Sequence, residues 1–210
     1  MNLHYPTSAA RSVLQASAVC LQYPDDTVRA LWPTVHAGVE ALPDSDPKQH
    51  LRAFLDGTRA QLPGELARHY VDVFDRRRRC CLYLTWWTHG ETRRRGGALA
   101  ELKRRYREAG TELTGTELPD YLPIVLEYAA TVELADGLAL LQEHRPGIEL
   151  LRLALLEATT PYAAPVQAVC ALLPGASPAD LAEAKALART GPPREQVGLE
   201  LPPFELGATR

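Results

Sequence analysis

Asp120-Tyr-Leu-Pro-Ile-Val-Leu-Glu-Tyr-Ala-Ala-Thr-Val-Glu-Leu-Ala135 is apolar almost all round a helical wheel, with Asp120, Glu127 and Thr131 as its one narrow polar stripe. A surface helix keeps a broad polar face in water, so a helix this apolar belongs at the centre of its fold. It does not read as a membrane span, because Tyr121 to Leu141, the most apolar region, carries Glu127, Glu133 and Asp136. Outward from this segment, apolar residues recur at helical spacing nearly everywhere, and no alternating run is long enough for a strand. The expected fold is all-α, a single helical-bundle-like domain of about nine to eleven helices.

The spacing predicts helices at 8–22, with Val13, Leu14 and Leu21 on one face, and at 45–61, 64–75, 80–88, 92–109 and 120–135. A helix capped by Asp25 or Asp26 runs to Leu42-Pro43, kinked at Trp32-Pro33. Further helices are expected at 136–144, 148–158, 162–173 and 178–189, separated by Pro146-Gly147, Thr160-Pro161 and Pro174-Gly175. The loop at 110–118, poor in packing residues, is a candidate hinge between two helical halves. Residues 1–190 are expected to form the helical domain and 191–210, with four prolines, a mobile or loosely docked tail.

The 210 residues are 46% hydrophobic and 23% charged, ordinary globular values that argue against wholesale disorder. The N-terminus lacks a basic stretch followed by an apolar one, and Cys20, Cys80, Cys81 and Cys170 show no CxxC spacing. The expectation is a soluble protein of the reducing cytoplasm, without direct membrane insertion. The net charge of −3 conceals a split. Arg76 to Arg107 carries eleven basic residues against Glu91 and Glu101, a local +9, and the remainder a local −12. A nucleic-acid-binding helical protein using this 76–107 arginine cluster is the runner-up reading, opposed by the acidic remainder and the lack of a recognition motif.

Leu82, Tyr83, Leu84, Trp86 and Trp87 cover more than half a helical wheel. Such a helix is either buried core or a surface that presents aromatics to a partner's apolar helix. On the next helix Leu99, Leu102, Tyr106 and Ala109 share a face, and Arg95 falls within the apolar arc. A guanidinium there either snorkels at the first turn or forms a structural ion pair, with Asp72, Asp75, Asp120 and Glu127 as candidate partners. His69, His89 and His144 are scattered, no HExxH, GxSxG, GxxxxGK[ST] or GxGxxG occurs, and no catalytic residue is assigned. Cys80, Cys81, His89 and Glu91 lack paired-ligand spacing, so no metal site is assigned either.

Tyr70-Val-Asp-Val-Phe-Asp75, Arg78-Arg-Cys-Cys-Leu-Tyr-Leu-Thr85 and Thr88-His-Gly-Glu-Thr-Arg-Arg-Arg-Gly96 together resemble the central signature of the NarJ-type chaperones, also called the delta subunit of respiratory nitrate reductase. Glu117-Leu-Pro-Asp-Tyr-Leu-Pro-Ile-Val-Leu-Glu-Tyr-Ala-Ala130 is similar to the second motif of that family and to the Glu-x-Pro-Asp-His-Leu element of the wider TorD-like group, with Tyr121 in place of His. The resemblance is close over 70–134. It implies a non-catalytic cytoplasmic chaperone serving nitrate assimilation, which binds the N-terminal segment of the apo catalytic subunit of nitrate reductase until molybdenum cofactor is inserted. It implies no permanently bound cofactor, a monomer, and cofactor-biosynthesis proteins as further partners. On this reading Tyr70, Phe74, Leu82, Tyr83, Trp86, Trp87, Asp120 and Tyr121 bind the client peptide, and Arg78, Arg79, Arg93 and Arg94 orient it.

Overall fold

The computed structural model describes residues 5–190; the tail expected at 191–210 lies outside them. Among the described residues there are eleven α-helices. They are α1 (Thr7–Cys20), α2 (Asp26–Glu40), α3 (Asp46–Arg59), α4 (Pro63–Tyr70), α5 (Leu84–His89), α6 (Arg93–Glu108), α7 (Leu122–Thr131), α8 (Leu134–Glu143), α9 (Arg145–Glu157), α10 (Ala163–Leu172) and α11 (Leu181–Thr190). The protein is all-α, and its only sheet-like pairing there is an isolated antiparallel bridge between Tyr83 and Tyr121.

The apolar segment does sit at the centre. Leu122, Val125, Leu126 and Ala129 of α7 are fully buried, and α7 packs chiefly against α1 and α8. Helix α10 lies across α1, α3 and α9. Helices on either side of the 110–118 loop therefore share one core, which includes Leu14, Phe54, Leu138, Leu151, Tyr162 and Val166. No described helix is long and apolar enough to cross a membrane.

Four boundaries depart from the expected ones. Residues 80–88 are not one helix: a 3-10 turn at Arg78–Cys80 is followed by extended backbone, and α5 starts at Leu84. The 120–135 segment is broken at Val132 and Glu133, and Glu133 accepts from the backbone N–H of Ala135 to open α8. Asp120 thus lies outside α7 rather than on its stripe. Pro146-Gly147 does not separate helices, because α9 starts at Arg145 and proline in a first turn forfeits no intrahelical bond. Helix α4 ends at Tyr70 and continues as a π-helical turn, Val71–Asp75.

Two close features fix the ends of the bundle. A Cβ at Gly137 would meet the Cα of Ala129 at 2.5 Å, so α7 and α8 touch backbone to backbone. The buried side chains of Arg145, Glu149 and Arg152 form a charged triad on α9. Arg145 donates to the carbonyls of Gly175 (2.7 Å) and Ala176 (3.1 Å), and Ser177 donates to Glu149, which ties the turn before α11 to the body.

Candidate functional site

The site begins with a backbone junction between the two sequence motifs. Leu84 N–H donates to the Asp120 carbonyl at 2.9 Å, and Leu122 N–H to the Leu82 carbonyl at 2.8 Å. This pairing holds Leu82 and Tyr83 extended, against the helix expected there. An extended strand alternates its side chains, so Leu82 and Leu84 turn into the core while Tyr83 stays half-buried beside Tyr121. Asp120, fully buried, accepts from the Thr85 backbone N–H (3.1 Å), from the Thr85 hydroxyl and from Arg95 Nη2 (3.4 Å). One carboxylate of the second motif therefore caps the first turn of α5 in the first motif and receives the cation of α6.

Around this junction the aromatic side chains form a continuous run. Phe74 lies 4.6 Å from Tyr70, centroid to centroid, and Tyr83 lies 5.5 Å from Tyr121. The two halves meet where the hydroxyls of Tyr70 and Tyr121 stand 3.0 Å apart, and Tyr70 donates to the Leu21 carbonyl. Arg95 covers the far end, 5.6 Å from the Tyr83 centroid, and Tyr83 donates to Glu117 at 3.0 Å. Burial pushes the Tyr121 hydroxyl up to about 12, with Glu117 and Asp75 adding to the shift. Burial, then Glu117, pushes the Tyr83 hydroxyl up as well. These hydroxyls stay protonated near neutral pH and act as donors.

The expected site residues fall into three groups. Tyr70, Leu82 and Asp120 are buried and present no surface. Phe74, Tyr83, Tyr121, Trp86 and Trp87 are half-buried and can be touched from outside. Of these, Trp86 and Trp87 pack on each other at 5.0 Å, and Trp87 leans over Gly147 of α9. Arg78, Arg79, Arg93 and Arg94 are exposed. Arg78 pairs with Glu91 (2.8 Å) and Arg79 approaches Glu157 (3.9 Å), whereas Arg93 and Arg94 have no ion pair among the described residues.

The sequence reading missed Tyr23 and Tyr162. Tyr23, 46% exposed, sets its ring edge-on against Tyr70, and Tyr162 lies beneath Tyr70 and Phe74. Neither belongs to a motif, and no periodicity marks them. Glu117 was within the second motif but carried no assigned role. Cys80, Cys81, His89 and Glu91 do not gather as ligands, and no group of His, Cys, Asp or Glu able to hold a metal ion occurs among the described residues.

A helical domain in which two distant motifs are sewn into one aromatic face defines the class of protein. The span from the end of α2 into α10, residues 40–168, matches the model of the nitrate reductase delta subunit family. The chain belongs to that family. It is 31% identical over 157 residues to the probable nitrate reductase molybdenum cofactor assembly chaperone NarJ of Bacillus subtilis, covering 75% of this chain and 85% of that protein. To the nitrate reductase molybdenum cofactor assembly chaperone NarJ of Escherichia coli it is 34% identical over 148 residues, covering 68% and 61%. The nitrate reductase-like protein NarX of Mycobacterium tuberculosis is 44% identical over 134 residues, 58% of this chain. The chain spans 21% of the length of that relative.

Proposed function

We propose that this protein is a cytoplasmic, non-catalytic assembly chaperone that holds the N-terminal segment of the apo catalytic subunit of nitrate reductase until molybdenum cofactor is inserted. Family membership supports the reading, and the observation that carries it is the convergence of both motifs on one half-buried aromatic face, Phe74, Tyr121 and Tyr83, edged by exposed Tyr23. Tyr and Phe rings offer large contact area at low entropic cost, the makings of a helix-in-groove site. On this reading Tyr70, Leu82 and Asp120 hold the face in shape, Trp86 and Trp87 flank it, and Arg78, Arg79, Arg93 and Arg94 steer the client.

The charge distribution weighs against the nucleic-acid alternative. Of the ten arginines between 76 and 107, six (Arg76, Arg78, Arg79, Arg95, Arg104 and Arg105) already contact carboxylates. What remains for phosphates is far less than the sequence charge suggests.

The test is calorimetry with a synthetic peptide of about 15 residues from the N-terminus of the apo catalytic subunit. The expected result is a negative heat-capacity change, the marker of apolar burial, with little effect of moderate salt. Tyr83→Ala and Phe74→Ala should each weaken binding by more than about 1 kcal/mol in variants whose circular dichroism is unchanged. Affinity that instead follows log salt steeply and ignores both substitutions returns the arginine cluster to first place.

A further inference from the structure

Helix α2 is little buried for its length. Only Val28 and Val39 of its fifteen residues are buried, and it packs mainly on α1 and α3. Between α2 and α3 runs a groove of about 340 Å³. Trp32 and Pro33 line one wall and Leu55 and Thr58 the other, with Arg29 and Arg59 also lining it. On α2 the lining positions 29, 32, 33 and 36 follow the i, i+3, i+4, i+7 rule, so the groove is one helix face met by another. The indole N–H of Trp32 is buried and has no acceptor.

The charges state the chemistry of the occupant. Arg29 and Arg59 have no ion pair among the described residues, and the Asp56 carboxylate is already shared between His36 (3.4 Å) and Arg52 (3.6 Å). An apolar cleft bounded by two uncommitted guanidiniums suits apolar side chains flanked by carboxylates, where each new pair is charge-assisted. We propose that the α2/α3 groove docks an acidic amphipathic segment of a partner protein. Its apolar residues cover Trp32, Pro33 and Leu55, and its carboxylates meet Arg29 and Arg59. This surface lies on α2 and α3 rather than on α5–α7, so it stands independently of the client-peptide reading.

The experiment uses the full chain and two labelled peptides of about fourteen residues, four helical turns. Both carry Leu and Phe at the same i, i+3, i+4, i+7 positions; one has Glu and the other Lys between them. Binding is read by fluorescence anisotropy and located by hydrogen exchange. The Glu peptide should bind and slow exchange in α2 and α3, and the pair Arg29→Gln and Arg59→Gln should weaken it about tenfold without changing the melting temperature. Arg29→Glu with Arg59→Glu should reverse the preference toward the Lys peptide. Equal binding of both peptides by the unaltered chain, protection appearing on α5–α7 instead, or indifference to both arginine pairs would overturn the proposal. Two other results would reassign the groove and so also overturn it. A gain in Glu-peptide affinity on removing 191–210 gives it to this chain's own C-terminal segment, which contains Leu201-Pro-Pro-Phe-Glu-Leu206, and a dimer that both arginine substitutions dissociate gives it to a second copy.

Discussion

The carboxylate of Asp120 accepts the backbone N–H of Thr85 at 3.1 Å, so the first turn of α5 is capped by a residue that arrives from the other motif. A helix of six residues cannot sustain itself. Its existence depends on this cap and on the backbone bonds that flank it. Arg95 joins the same oxygen and also donates to the Thr85 hydroxyl at 3.2 Å, which makes a three-residue node.

Removing the node's acceptor should therefore cost more than removing its cation. Asp120→Ala leaves Thr85 uncapped and Arg95, 22% exposed, without its carboxylate; the expected loss is about 3 kcal/mol. Arg95→Ala should cost less, because the Thr85 N–H and hydroxyl both remain on Asp120 Oδ2. Arg104→Ala, on the exposed face of α6, should leave the urea midpoint where it is. Equal midpoints for the Asp120 and Arg104 variants would contradict the node.

Two glycine-to-alanine substitutions should have opposite signs. A Cβ at Gly147 would stand 2.7 Å from the Cβ and 2.9 Å from the Cγ of Trp87. Gly147→Ala must push α5 off α9, at about 1–3 kcal/mol, with a change in tryptophan fluorescence. Gly96, inside α6, has open space at its Cβ position, so Gly96→Ala should stabilise by about 0.5–1 kcal/mol. Thermal melts of the two variants should bracket the parent.

The paired tyrosines should respond unequally to loss of their hydroxyls. Tyr70 donates to the Leu21 carbonyl at 3.0 Å and so accepts from Tyr121. Tyr70→Phe strips that carbonyl of its close donor and should cost about 1–2 kcal/mol. Tyr121→Phe leaves the Tyr70 bond in place and should cost about half as much. A double-mutant cycle in urea measures the coupling.

Mild acid should weaken the fold through two histidines. Burial holds His144 below the ordinary value of 6.5, against the raising effect of Glu143 and Asp120, with His89 and Arg105 also lowering it. Burial likewise lowers His50, with Asp46 opposing and Arg152 adding. Both are more often neutral when folded, and the unfolded chain takes up more protons. Their contribution is thus fully present above about 6.5 and is lost as pH falls through that value toward the folded ones. The urea midpoint should drop between about pH 7.5 and 5.5, and His144→Gln should flatten the slope. An identical slope would remove His144 as a cause.

Helical class and central position were legible because an apolar segment such as Leu122 to Ala130 has only one stable place in a soluble fold. The error over Leu82 and Tyr83 has a clear cause. A short apolar run fits helix and extended chain equally well, and what decides between them is Asp120 and Leu122, distant partners that no local pattern announces. Pro146 was misleading for a different reason: proline stops a helix from inside but starts one from its first turn. Tyr23 and Tyr162 join the aromatic run only through tertiary packing, so the motifs disclosed part of the face and the fold supplied the rest.

The Leu82–Leu122 and Leu84–Asp120 bonds have a consequence for the order of events in folding. They close a loop that includes all of α5 and α6, and they cannot form until the entropy of that closure has been met. Until then Tyr83 and Tyr121 are separate, and α5 lacks its cap. The aromatic face is accordingly a certificate of completed folding: a nascent or partly opened chain, even one with most of its helices in place, does not display it.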